Sequence, residues 1–241
     1  MQSLDFLIRP GPEAPPADGL PPEELGEAEG RPPYDEAAWW ERQWATRAAP
    51  GARLLDLGCG EVIERERAER LGYRYVPVDY ESVHAAALVD AHALPFADAS
   101  FDAVTAIALL EHIRYPFVMM REVHRVLKPG GRLLGTVSFL EPFHQVSWYH
   151  HSHVGTWNVL RHAGFEDIDV APSVQWTTLT AAATMGLFPG MPDAAARALV
   201  APLEAGKRLW WRLRGVRRDP RRHARQLRAT TGAFSFAARK R

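Results

Sequence analysis

The stretch Arg53-Leu54-Leu55-Asp56-Leu57-Gly58-Cys59-Gly60 constrains the fold more than any other. Leu54, Leu55 and Leu57 form a short apolar run bounded by turn residues, the pattern of a buried strand. Gly58 and Gly60 then permit backbone angles and a close ligand approach that a Cβ forbids. Glu61 to Leu71 follows as a helical pattern that Gly72 stops. A strand running through Gly-x-Gly into a helix suits a nucleotide, because a helix N-terminus presents free N–H groups. The same two glycines also occur in ordinary tight turns, so the rest of the chain must decide.

The later elements predict an open α/β sheet. Tyr73 to Val78 reads as a second strand ending in Asp79. An acidic residue about 20 positions past a glycine turn, at a strand end, suits ribose hydroxyls. Ala85 to Val89 reads as a third strand ending in Asp90, and Phe101 to Ile107 as a fourth. Pro116 to Leu127 is helical, with Phe117, Met120, Val123 and Leu127 at core spacing. Lys128-Pro129-Gly130-Gly131 stops it, and Arg132 to Phe139 is a fifth strand. Ser152 fits the N-cap of a helix from His153 to His162, closed by Gly164, before a sixth strand from Phe165 to Pro172. Alternating strands and helices predict a mostly parallel sheet with helices on both faces.

Composition narrows the class. Cys59 is the sole cysteine, which excludes an intrachain disulfide and fits a reducing, cytoplasmic setting. The 29 basic and 29 acidic side chains balance, which argues against a general nucleic-acid binder. No apolar run has the length of a membrane span, and the N-terminus lacks a signal-peptide pattern. Residues 1–33 are rich in proline and glutamate and read as a flexible arm, with one domain over residues 34–241. Asp35 fits an N-cap for a helix from Glu36 to Ala48, on which Trp40 and Trp44 share a face. Trp39, Trp40 and Trp44 either pack on the core or form a lid over a ligand.

Six blocks occur in order: Leu54 to Gly60, Val78-Asp79, Asp90 to Phe96, Ser100 to Val104, Leu110-Glu111-His112, and Arg121 to Gly131. Together they resemble the class I S-adenosylmethionine-dependent methyltransferases. The resemblance implies a Rossmann-like sheet of seven strands with the seventh antiparallel, and S-adenosylmethionine as cofactor. It implies that Gly58 and Gly60, with Asp56 behind them and Cys59 between them, line the methionine end. Asp79, with Tyr80 beside it, would hold the ribose, and Asp90 with Ala91 and His92 would hold the adenine. Ala106 and Ile107 would present backbone to the amino end. Where that family often has a third glycine this chain has Val62, which predicts a displaced helix or a reshaped pocket. Cys59 has no basic neighbour in the local sequence to activate a thiol. A nicotinamide-dependent dehydrogenase would need a glycine at or near Ile63 and would leave the later blocks unexplained.

The second half of the chain bears on the acceptor. Glu141 to His153 is rich in histidine and aromatics, and a general base is expected from His144 first and His150 second. His150, His151 and His153 lack the spacing of common zinc sites, so no metal ligand is assigned. The seventh strand falls at Gly232 to Ala238, which leaves a helical insertion over residues 175–228 as a cap. Lys207 to Arg228 is crowded with arginine and has one acid, Asp219. That segment reads as a solvated basic face, a dock for an acidic substrate, or a peripheral contact with anionic lipid. Its aromatics are not interleaved as stacking platforms, so nucleic acid is not expected. Trp210 and Trp211 are expected to pack on the tryptophan helix. The expected function is methyl transfer from S-adenosylmethionine to a small-molecule or lipid-like acceptor, suited to negative charge. The alternative is a methyltransferase-like binding protein without turnover, supported by Val62.

Overall fold

The computed structural model describes residues 36–44 and 48–241. The proposed arm, the Asp35 cap and the end of the first helix lie outside the described residues. The elements run α1 (Glu36–Trp44), β1 (Arg53–Leu57), α2 (Arg65–Arg70), β2 (Arg74–Asp79), β3 (Ala87–Leu88), β4 (Phe101–Ala106), α3 (Pro116–Val126), β5 (Leu127–Ser138), α4 (His153–His162), β6 (Glu166–Pro172), α5 (Thr178–Ala182), α6 (Asp193–Leu213), α7 (Pro220–Thr230) and β7 (Ala233–Arg239). Seven strands form one sheet in the order β3-β2-β1-β4-β5-β7-β6. β7 runs antiparallel to both β5 and β6, and the other pairs are parallel.

The two faces follow the strand period of two. Leu55, Val104, Leu133, Val170 and Phe236 pack with Met119, Met120 and Val123 of α3 and Val159 and Leu160 of α4. Their sequence neighbours Leu54, Ala103, Leu134, Ala171 and Ala237 face the other way, against Trp39 and Trp44 of α1 and Ala68 of α2. Phe234 and Phe236 are fully buried, and each contributes about 1.5–3 kcal/mol by leaving water. β5 passes close to its neighbours at Gly135, where a Cβ would collide with the Phe236 ring and the Ala106 carbonyl.

Several boundaries differ from the sequence reading, each for a local reason. The helix after the glycine turn is six residues long, because Glu61 to Glu64 are taken up in turns. β3 keeps two exposed residues at the sheet edge, after a turn in which Ala85 N–H donates to the Ser82 carbonyl. β5 begins at Leu127, paired with Phe101, and a bulge shifts the register before Arg132 meets Ala103. On α1 Trp39 and Trp44 are buried, and Trp40 is half-buried against the same cluster. Trp39 Nε1–H donates to Asp169 Oδ2 at 2.8 Å, so the tryptophan pair is part of the core and not a lid. The Ser152 cap is as expected: its Oγ accepts the Gly155 N–H at 3.1 Å.

The insertion departs most. Ala196 and Val200 of α6 pack with Ala183 in the π turn Ala183–Leu187 that follows α5. Trp210 does not reach α1; it is 61 % exposed, and the Arg214 guanidinium lies over its ring. Trp211 meets His223 of α7 edge-on. Among the described residues, no helix is long and apolar enough to cross a membrane.

Candidate functional site

The strand order reverses at β1 and β4, and in open α/β sheets ligands sit beyond the carboxyl ends of the strands at that point. The glycine turn lies there. Gly58 has φ +73°, and a Cβ on it would come within 2.8 Å of the Leu109 side chain. Gly60 has φ +46° and open space where its Cβ would be. The turn uses several of its own donors: Gly58 N–H and Cys59 N–H both donate to the Val78 carbonyl, and Gly60 N–H donates to Asp79 Oδ2 at 3.0 Å. The expectation of a free row of N–H groups is therefore corrected for these three positions. Val62 stands at φ +53°, a left-handed conformation that a β-branched residue rarely adopts.

The acidic residues take different places. Asp56 is buried and accepts hydrogen bonds from Tyr75 and from Thr105 Oγ1, so it sits under the turn as part of the fold. Burial raises its pKa, outweighing those bonds. Burial also acts to raise the pKa of Asp79, yet the N–H groups of Glu81, Gly60, Ser82 and Tyr80 outweigh it and hold its carboxyl below the usual range. Tyr80 beside it is exposed. Asp90 Oδ1 accepts the His92 N–H at 2.8 Å and meets His92 Nδ1 at 2.6 Å. Those contacts lower its pKa and leave its carboxylate ionised at the surface. Ala91 is buried behind it. The Cys59 thiol is pushed up to about 11 by burial and by Asp56 and Asp79, so it stays protonated and unreactive at neutral pH.

Beyond β4 the chain passes Ala106 and Ile107 and turns at Ala108, whose φ is +46° and whose N–H donates to Thr136 Oγ1 at 2.9 Å. Past this turn lies a cavity of about 310 Å³. Ala108, Glu111, Thr136, Ser138, His144 and Trp176 are in its wall, with Met185 from the insertion and Glu36 from α1. Three carboxylates and no lysine or arginine line it. The loop after β5 and the insertion thus meet at one cavity, while the arginine-rich part of the insertion is not in its wall.

The expected histidines separate. His144 lines the cavity, donates Nδ1–H to the Pro142 carbonyl at 3.3 Å, and meets the His112 ring edge-on at 5.1 Å. His150 donates Nδ1–H to the Phe139 carbonyl at 3.0 Å, and its Nε2 is buried without a partner. It is not in the cavity wall. The residue that sequence reasoning passed over is Glu111. It is 1 % exposed, takes the Ser138 hydroxyl on Oε1 at 2.6 Å, and leaves Oε2 without a partner.

The comparisons agree with this layout. Residues 55–135 match the family model described as a methyltransferase domain. Over these residues the chain is similar to that methyltransferase-domain family. The chain is 35 % identical over 102 residues to the ubiquinone biosynthesis O-methyltransferase of Xanthomonas campestris pv. campestris, covering 36 % of this chain and 43 % of that protein. It is 35 % identical over 101 residues to the 27-O-demethylrifamycin SV methyltransferase of Amycolatopsis mediterranei, covering 34 % and 37 %. The matched segments thus span less than half the length of these curated relatives. Phosphoethanolamine N-methyltransferase 2 of Haemonchus contortus, solved with S-adenosyl-L-methionine, shares the fold with a TM-score of 0.53 at 20 % identity, over 85 % of this chain and 51 % of that one. This part of the chain offers acceptors and space that suit such a cofactor: ionised carboxylates at the ends of β2 and β3, and open space over Gly60.

Proposed function

We propose that this chain transfers a methyl group from S-adenosylmethionine to an oxygen of a small-molecule acceptor in the cavity beyond β4. The observation that carries the reading is the direct chain link between the two halves. The side chain of Leu109 abuts Gly58 of the glycine turn, and Ala108 and Glu111 on either side of it line the cavity. When bound, the cofactor supplies an activated methyl group on a sulfonium, so the protein's task is mainly positioning. Asp79 would take the ribose hydroxyls and Asp90 the adenine amino group, with the Ala106-Ile107 backbone at the amino end.

On the acceptor side, Glu111 and His144 are both in the cavity wall, as polar groups able to hold a hydroxyl or take its proton. The carboxylate-lined wall favours a neutral acceptor bearing hydroxyl groups over an acidic one. Both curated relatives carry names of O-methyl chemistry, which supports oxygen as the accepting atom. The reading of a binding protein without turnover rested on Val62. Because the turn places Val62 at φ +53°, its backbone keeps the path a glycine would follow, and that support weakens.

The test is methyl transfer. The purified chain is incubated with methyl-tritiated S-adenosylmethionine and a set of phenolic and alcoholic metabolites. Label recovered on a hydroxyl oxygen with matching S-adenosylhomocysteine formation supports the proposal. Transfer confined to amines or carbon, or cofactor binding without any turnover, overturns it.

A further inference from the structure

Glu111 and His112 sit on the short 3-10 turn after β4, and His144 sits on the loop after β5. One ligand atom from each lies within 4.8 Å of the other two. Among the described residues this is the one such grouping of three histidine, cysteine or acidic side chains. Proximity alone does not make a site. The donor chemistry goes further.

Each imidazole has one nitrogen already assigned. His112 Nδ1 lies 3.1 Å from the Val146 carbonyl, and His144 Nδ1 lies 3.3 Å from the Pro142 carbonyl. A carbonyl oxygen only accepts, so both Nδ1 atoms carry the proton and both Nε2 atoms keep a lone pair. Metal-binding histidines are oriented in this way by a backbone carbonyl behind the ring. Glu141 Oε1 lies 3.8 Å from His144 Nδ1, while Oε2 of the same carboxylate accepts the Trp176 Nε1–H. The carboxylate is prepared likewise. Ser138 Oγ–H fixes Glu111 Oε1, while Oε2 is buried with no partner, and a buried oxygen left unsatisfied is costly. A cation there would remove that cost.

We propose that Glu111, His112 and His144 form a binding site for a divalent transition-metal ion of the zinc type, open on the side of the cavity. Two imidazoles and one carboxylate suit zinc or its neighbours, whereas magnesium prefers an all-oxygen shell. Tetrahedral donors at zinc bond lengths stand about 3.4 Å apart, so the three groups must close by up to about 1.4 Å from their 4.8 Å limit. His144 can make that movement, since it sits on a loop with its side chain about one-quarter exposed. Three protein ligands leave a position for water or for an acceptor oxygen. An ion in this place would hold an acceptor hydroxyl as its oxyanion beside the site of methyl transfer. That role rests on the function proposed above; the metal site itself does not.

The experiment uses the full, tag-free chain stripped with chelator, titrated with zinc followed by calorimetry and with cobalt followed by its visible spectrum. One ion per chain is expected, with the intense cobalt absorption of a low-coordinate nitrogen and oxygen shell. His144→Ala, on a loop, and Glu111→Gln should each weaken zinc binding at least 10-fold, while His162→Gln, outside the cluster, should bind as the parent does. Circular dichroism shows whether each variant is folded, and His144→Ala serves if Glu111→Gln is not. Ordinary affinity in folded His144→Ala, or no saturable binding in the parent chain, overturns the site. S-adenosylmethionine binding is read in a separate titration, so failure of the cofactor reading and failure of the metal site are distinguished.

Discussion

The Gly60 N–H donates to Asp79 Oδ2 across 3.0 Å, which ties the glycine turn after β1 to the carboxylate that ends β2. Asp79 Oδ1 meanwhile accepts the N–H groups of Glu81 and Ser82 at 3.0 and 3.1 Å. The carboxylate is thus held in one orientation before any ligand arrives, and Oδ2 retains capacity to accept another donor.

Asp79→Ala should therefore lose both the ribose contacts and the shape of the turn. Hydrogen bonds to a charged group contribute about 1.5–3 kcal/mol, so S-adenosylmethionine affinity should fall by roughly 10- to 150-fold. Calorimetry reads the change directly. An unaltered affinity would remove Asp79 from the cofactor site.

Val62 carries a cost that its sequence position did not reveal. A β-branched residue in the left-handed region costs about 1–3 kcal/mol, and glycine in its place returns about 0.5–1 kcal/mol of that as chain entropy. Val62→Gly should raise stability by about 1 kcal/mol, seen as a higher urea midpoint. The sequence reading of a helix at this position implies the opposite sign, because glycine weakens a helix. A lower midpoint would place Val62 in a relaxed conformation.

His151 gives a pH dependence with a defined sign. It is 8 % exposed, and burial, then the neighbouring His150, pushes its pKa down from 6.5 to about 4. The folded ring stays neutral while the unfolded ring charges below about 6.5, so the unfolded state binds more protons between these values. Stability should fall as pH drops from 6.5 to about 4 and this contribution should then level off. A pKa lowered this far corresponds to roughly 3–4 kcal/mol of that loss. His151→Gln should flatten the corresponding part of the curve relative to the parent; parallel curves would contradict the assignment.

The sheet, and the strand ends proposed here for the cofactor, were legible because their signals are local. Leu54 to Gly60, Asp79 and Asp90 each occupy a strand end that the apolar period already marks, and their order along the chain is that of the resemblance. The acceptor half was not. Glu111 gains its meaning from Ser138, 27 positions away, and the two meet only after β4 and β5 pair. His112 and His144 likewise meet across a loop whose path no periodicity describes. On the tryptophan helix, i,i+4 spacing places Trp40 and Trp44 against one cluster, but it does not indicate Trp39, which is buried there too and bonded to Asp169 on β6. The arginines of residues 207–228 looked like a rim for an acidic acceptor. In the fold they belong to the far part of the insertion, and the cavity wall is carboxylate-rich.

The central claim is that the cleft over Gly58, Gly60, Asp79 and Asp90 binds S-adenosylmethionine. Calorimetric titration of the full chain with S-adenosylmethionine and with S-adenosylhomocysteine tests it most directly. The account predicts one site per chain with affinity in the micromolar range, about −8 kcal/mol, weakened by Asp79→Ala and by Asp90→Ala. A folded chain that shows no saturable binding of either compound at millimolar concentration would contradict it.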